Sequence, residues 1–272
     1  MPNEVPDPLT PEQRRAFDRL RVAPDGVCWW CRERPATTRE HKYKHSDLRR
    51  VLGDDNFIGV EDGTGNLRVV RGKSGIKRDR YGLVKFPKSM CAPCNNERSQ
   101  AFDRAYEIFS TYLATRKMRT KPGVPFERIY GEEWEEKTLD LARYYAKHFG
   151  CRMVNAGLPV PGSLRGFMDG ASDMVDAQMV LISTRSVHRT RSSLGISGDS
   201  VWVAKDRSRF VGFVLATYIG AVGVRYEWLE EGIPDDQRSQ FFHNPTPVLN
   251  RFVDEGAVAR GEVGRWKAAP WK

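Results

Sequence analysis

Apolar positions along the chain recur first at helical spacing, then in alternation, then at helical spacing again. Ala16, Phe17 and Leu20 lie on one helical face; Thr10 stands as N-cap, Pro11 at the first helical position and Gln13 at capping-box spacing. Pro24 and Gly26 end that element, so a helix is predicted to about Val22. Residues 46–52, capped by Ser46 and closed by Gly53, predict a second, short helix. Residues 57–60 and 67–70 read as the strands of a β-hairpin joined by the turn residues 62–66, and 83–86 as a further strand. Pro93 then opens a helix carrying Phe102, Ala105, Tyr106, Phe109 and Leu113 at helical spacing.

Pro122, Gly123 and Pro125 stop any helix in 116–131, which reads as a linker. Beyond it, 132–148 predicts a helix with an acidic start, a basic end and a stripe of Trp134, Leu141, Tyr144 and Tyr145. Strands follow at 179–183, 201–204, 210–216 and 221–228, with a Gly/Ser turn region at 192–200. The expected class is α+β. A helix within 1–26 packs on a first domain at 27–115, which has an insertion at about 53–88. After the linker, a mixed α+β domain fills 132–272.

Composition changes this picture little, and charge changes it more. At 40% hydrophobic and 29% charged the chain is an ordinary globular one, neither disordered nor disulfide-dense. The net charge of +9 is unevenly placed: residues 1–130 carry 26 Lys+Arg against 17 Asp+Glu, and residues 131–272 carry 18 of each. A basic first half raises the expectation of a polyanionic partner, because Lys and Arg release counterions from phosphates. The first eight residues lack the basic-then-apolar run of a secretory signal. The longest uncharged stretch, 210–224, is too short and too glycine-rich to span a bilayer, and reads as buried strands. A cytoplasmic location with reduced cysteines is therefore expected.

Four of the five cysteines form two pairs, Cys28-Trp29-Trp30-Cys31 and Cys91-Ala92-Pro93-Cys94. Each Cys-x-x-Cys turn presents two thiolates to one side, and two such turns complete a tetrahedral site for structural Zn²⁺. Cys151 has no partner at ligand spacing and reads as a small core residue, and Trp29 and Trp30 read as packing.

Between the pairs stands Glu40-His41, and Cys94 is followed by Asn95-Asn96-Glu97-Arg98. In this outline the sequence resembles the HNH endonucleases, the zinc-supported branch of the ββα-metal or His-Me finger nucleases. There an acidic residue and a histidine end a strand between two knuckles, and the second knuckle leads into a helix as Cys-x-x-Cys-(His/Asn)-x-x-(Lys/Arg). The resemblance covers roughly residues 27–115 and implies a treble-clef-like ββα domain. It implies His41 as general base, Glu40 and Asn95 as ligands of a catalytic Mg²⁺ or Mn²⁺, and Arg98 as a phosphate contact. These roles suit the chemistry: a histidine can take a proton from water near neutral pH, and hard cations prefer oxygen ligands. His45 could supply a second imidazole, and Asp103, two helical turns past Asn95, could orient His41 or approach the metal.

The stretch 71–88 sets Arg71, Lys73, Lys77, Arg78, Arg80, Lys85 and Lys88 against Asp79 alone, with interleaved glycines. Within it Arg71, Lys73, Lys77, Arg78 and Arg80 are the expected nucleic-acid contacts, with double-stranded DNA as the expected partner. Residues 131–272 carry no recognisable catalytic motif and are expected to serve target recognition or homodimer formation. The leading reading is thus a divalent-metal-dependent endonuclease, an enzyme of phage defence or restriction. The alternatives are a zinc-stabilised nucleic-acid-binding protein without catalysis and a protein-interaction module; the basic first half disfavours the last.

Overall fold

A computed structural model describes residues 10–52, 57–61, 67–71, 82, 84–115, 123–184, 194–196, 200–219 and 222–252. Helix α1 (Pro11–Leu20) begins with the expected capping box: Gln13 N–H donates to Thr10 Oγ1 and Thr10 N–H to Gln13 Oε1. Its Phe17 meets Phe210 edge-on at 5.4 Å, and Val22 N–H, just beyond it, donates to the Gly157 carbonyl. The sequence reading set this helix against the domain that follows it; Phe17 and Leu20 pack on the apolar cluster that holds Trp29 as well as Phe210.

Strand β1 (Thr38–His41) is followed by α2 (His45–Leu52) and by the hairpin β2 (Phe57–Glu61) and β3 (Leu67–Arg71), paired antiparallel as predicted. Strand β4 (Lys85–Met90) pairs antiparallel with β1 and places His41 opposite Lys85. It runs four residues beyond the expected strand because Phe86, Ser89 and Met90 are buried and Thr37 N–H bonds to the Met90 carbonyl. A π-helical turn (Pro93–Arg98) leads into α3 (Gln100–Thr115), whose Phe102, Ala105, Tyr106 and Phe109 are buried as their spacing required.

Of the expected linker, residues 116–122 lie outside the described residues. Val124 and Phe126 are already fully buried, and α4 (Phe126–Tyr130) and a 3₁₀ turn lead into α5 (Trp134–Ala156). Gly157 ends α5 in the left-handed conformation at φ 70°, which costs glycine nothing. Helix α5 extends two turns past the predicted end and is buried on nearly every side from Leu141 to Met153, as befits a helix at the centre of a molecule.

After α6 (Gly162–Met168) come β5 (Ala177–Thr184), β6 (Leu194–Ile196), β7 (Ser200–Val203), β8 (Phe210–Ile219), β9 (Val222–Leu229) and β10 (Asn250–Phe252). They form one sheet in the order β10-β5-β9-β8-β6, with β7 also on β8; β10 is parallel to β5 and the other pairs are antiparallel. The described residues of the uncharged stretch 210–224 thus form β8 and the start of β9, and no helix among the described residues is long and apolar enough to cross a membrane.

The fold is α+β. One apolar cluster runs from Cys28, Trp29 and Met90 through α3 and α5 to Phe213, Tyr226 and Phe242, so the cysteine knuckles share a core with the six-stranded sheet.

Candidate functional site

The first knuckle is shaped by its backbone. Cys28 N–H donates to the Arg34 carbonyl, Arg32 N–H to the Cys28 carbonyl, and Arg32 takes a left-handed φ of 59° with its guanidinium held by Asp25 at 2.5 Å. Trp29 N–H donates to the Ser89 carbonyl of β4, and the second knuckle begins where that strand ends. The sulfurs of Cys28, Cys31, Cys91 and Cys94 consequently lie within 4.8 Å of one another, with Cys31 and Cys91 3.9 Å apart. Four ligands 2.3 Å from a tetrahedral ion stand about 3.8 Å apart, so this group fits zinc after a small contraction.

The electrostatics suit the same ion. Burial pushes the thiols of Cys28 and Cys94 up, so they resist ionising on their own. For Cys31 burial is outweighed by the N–H groups of Glu33 and Arg34 and by neighbouring thiols, which bring it down to about 7. A divalent cation supplies the charge that buried thiolates need. The four residues could hold a metal such as zinc, which would join the knuckle before β1 to the one after β4.

Both knuckle tryptophans are packing residues, as expected. Trp29 Nε1 donates to Cys151 Sγ at 3.4 Å, and its ring lies against Gly150 of α5. Trp30 Nε1 donates to Asp169 Oδ1 at 2.8 Å, with the Arg98 guanidinium 4.2 Å above its ring. Cys151 is fully buried, in keeping with a core residue.

The proposed catalytic residues sit beside this centre. Glu40 is 6% exposed, and its Oε2 faces Lys147 Nζ of α5 at 3.2 Å. Lys147, 1% exposed, also lies 3.3 and 3.2 Å from the two Asp103 carboxylate oxygens and 3.3 Å from Ser99 Oγ. Asp103 in turn binds Lys44 Nζ at 2.9 Å, so two carboxylates and two ammonium groups form one charge-balanced cluster. Burial raises the Glu40 carboxyl above its ordinary range, while Lys147 is held charged against its own burial by Glu40 and Asp103.

His41, partly buried at the end of β1, is pushed down to about 4 by burial and then by the charges of Lys85, Lys147, His45 and Lys44. It is neutral at pH 7, and the burial and charges that keep it so also make it a weaker base than an ordinary histidine. His45 is exposed at the start of α2. Asn95 makes no capping bond; its carbonyl accepts from Ser99 Oγ at 2.7 Å, and its Oδ1 is buried without a hydrogen-bond partner among the described residues. Arg98 is engaged within the chain, by Asp169 at 2.7 Å, by Cys94 Sγ at 3.6 Å and by the Trp30 ring.

The structure therefore brings Glu40, Asp103 and His41 to one region with Lys44 and Lys147. Of the two residues expected to hold a catalytic metal, Glu40 is paired through Oε2 with the Lys147 ammonium, and the Asn95 side-chain oxygen has no hydrogen-bond partner among the described residues. Lys44 stood among the basic residues that add charge near the site, but Lys147 escaped sequence reasoning: a lysine on a helix reads as solvated, and nothing near residue 147 announces carboxylates more than forty positions away. Of the expected nucleic-acid contacts, Arg71 ends β3, and Lys73, Lys77, Arg78 and Arg80 lie outside the described residues.

No family model matches the chain, and neither a curated protein nor a solved structure does.

Proposed function

We propose that the chain hydrolyses phosphodiester bonds of nucleic acid, and within that class acts as an HNH-type endonuclease built on a treble-clef-like ββα unit, with DNA as substrate and phage defence or restriction as its setting. The observation that carries this reading is the site around β1: a neutral histidine, opposite Lys85 on β4 and in the field of Lys44 and Lys147, next to a buried carboxylate. Perturbed titratable groups gathered beside one another are candidates for a functional site. In this reading His41 removes a proton from the attacking water, and Lys85, opposite it on β4, favours an approaching phosphate. The four-cysteine centre keeps β1 and the π-helical turn in register. Arg98, stacked on Trp30, positions that turn, and its contact to phosphate would require release from Asp169.

One observation favours a second reading, a zinc-stabilised nucleic-acid-binding protein without catalysis: the carboxylate expected to hold the catalytic Mg²⁺ or Mn²⁺ is neutralised by Lys147. Cleavage of plasmid DNA and of RNA with Mg²⁺ or Mn²⁺ separates the two. The nuclease reading expects cutting by the wild type and a loss of at least about 100-fold in His41→Ala, the usual scale of a general base. DNA binding without cleavage under either metal leaves the binder; undiminished cutting by His41→Ala removes that residue from the reaction.

A further inference from the structure

We propose that the cleft between the first knuckle and the end of α5 is a binding site for a small organic anion, an apolar or aromatic body carrying a phosphate or carboxylate. None of the residues discussed for catalysis lines this cleft, so the inference does not rest on the nuclease reading.

The cavity measures about 320 Å³, at the small end of the range for small-molecule sites. Its walls come from three stretches: the connection from α1 through the first knuckle, the Lys88-Ser89 segment of β4, and the chain from the end of α5 into α6. Hydrogen bonds fix these walls to one another. Val22 N–H donates to the Gly157 carbonyl, Ala36 N–H to the Gly26 carbonyl, and Trp29 N–H to the Ser89 carbonyl. Gly26 makes its bend at φ 74°, a conformation open to glycine. The cavity is thereby formed before any ligand arrives.

Its lining has an apolar part and a cationic part. Val22, Pro24, Leu158 and Val160 make the apolar wall, and Val22 is 53% exposed there, area that an apolar guest would take out of water. Arg32, Lys88 and Arg165 line the same space. Arg32 is answered by Asp25, but no carboxylate among the described residues pairs with Lys88 or Arg165, and Arg165 Nη1 bonds only to the Val160 carbonyl, at 2.9 Å. An ammonium and a guanidinium left so match a phosphate or carboxylate. Ser89, 2% exposed, also lines the cavity, and its Oγ has no hydrogen-bond partner among the described residues. The Cys151 thiol near it is a weak partner and already accepts from Trp29 Nε1. A buried hydroxyl in this condition costs free energy until a donor or acceptor meets it. An inorganic anion would leave the apolar wall in water, and a neutral apolar molecule would leave the cations unanswered; a guest with both parts satisfies both.

Fluorescence titration of the full chain with anilinonaphthalene sulfonate, an aromatic body with one anionic group, tests this. Saturable binding of one dye per chain is expected. Phenyl phosphate or benzoate should displace it, the stronger of the two identifying the head group, whereas phenol and inorganic phosphate should each fail alone. Lys88→Glu and Val22→Asp, both at exposed positions, should each weaken dye binding by at least about tenfold, the scale of one charge-assisted hydrogen bond. Lys205→Glu changes the net charge as Lys88→Glu does but lies outside the cavity, and should leave binding unchanged. Circular dichroism establishes that each variant is folded, and Arg165→Gln is read in place of one that is not. The proposal is overturned by an absence of saturable binding, by binding that survives the cavity variants or falls equally in Lys205→Glu, and by displacement with neither phenyl phosphate nor benzoate. Displacement by inorganic phosphate alone also overturns it, since the cations would then hold an adventitious ion only.

Discussion

His41 and His148 make the same statement by different routes. His41 is held neutral by burial and by a ring of lysines, down to about 4. His148, on α5, is fully enclosed: Nε2 lies 3.1 Å from the Lys42 carbonyl, Nδ1 has no hydrogen-bond partner among the described residues, and the ring packs edge-on against Phe86. Burial pushes it down to about 3. Both folded values lie below the unfolded 6.5, so the unfolded chain binds protons first. Stability is then full above pH 6.5 and falls as the pH drops from 6.5 toward 4. Glu40 works in the opposite direction, since a raised carboxyl favours the fold at low pH, and Asp103, lowered by Lys147 and Lys44 against its burial, matters only below its unfolded 3.8. The histidines therefore govern the upper part of the window. Denaturant unfolding at pH 7 and pH 5 should show the loss, at about 1.4 kcal/mol per pH unit for a fully buried histidine. His148→Gln, which can still donate to the Lys42 carbonyl, should flatten the slope; an unchanged slope would show that the ring is not the group responsible.

At the scale of elements, α5 decides most of the arrangement, and one glycine decides how it sits. In a helix interior Ala exceeds Gly by about 1 kcal/mol. At Gly150 a Cβ would stand 2.4 to 2.6 Å from three ring carbons of Trp29, closer than side chains pack. Gly150→Ala should therefore destabilise the protein by roughly 1–3 kcal/mol, the scale of an overpacked core. The cost should shrink in a Trp29→Phe background, because a smaller ring can yield; equal costs in both would place the strain elsewhere. This docking also marks how far the sequence could be followed. Capping residues, alternation and the two Cys-x-x-Cys pairs are local signals, and they located α1, the β2–β3 hairpin, α3, strands β5, β7, β8 and β9 of the large sheet and the four thiols that come together, whereas the three-residue β6, inside the expected turn region, and β10 were too short to show a pattern. The end of α5 was missed because its last two turns are buried on several faces and present no single stripe. Of the ionic cluster, Glu40 and Asp103 were visible as candidates, since each lies near a motif. Lys147 was not, because what makes a buried lysine tolerable is its partners, and those arrive only through tertiary packing.

For the molecule as a whole, the question is whether the metal centre is an appendage or part of the core. A knuckle that merely closed a surface loop could lose its ion and leave the rest standing. Here Cys28, Trp29, Trp30, Cys91 and Cys94 belong to the same apolar cluster as Phe149, Phe213 and Tyr226, and Phe149 packs on Tyr226 of β9 with ring centres 5.4 Å apart. Binding energy at a structural zinc site is folding energy, and in this arrangement it is spread over the shared core. The expectation is one tightly held zinc per chain by elemental analysis, and a single thermal transition for the loaded protein. Chelation, or Cys91→Ser, should lower that one transition and shift tryptophan emission to the red, because both Trp29 and Trp30 lie inside the knuckle. Two separate transitions, with the later one unaffected by chelator, would mean that the six-stranded sheet and α5 stand without the metal, and that Lys147 and Glu40 meet across a boundary that can open.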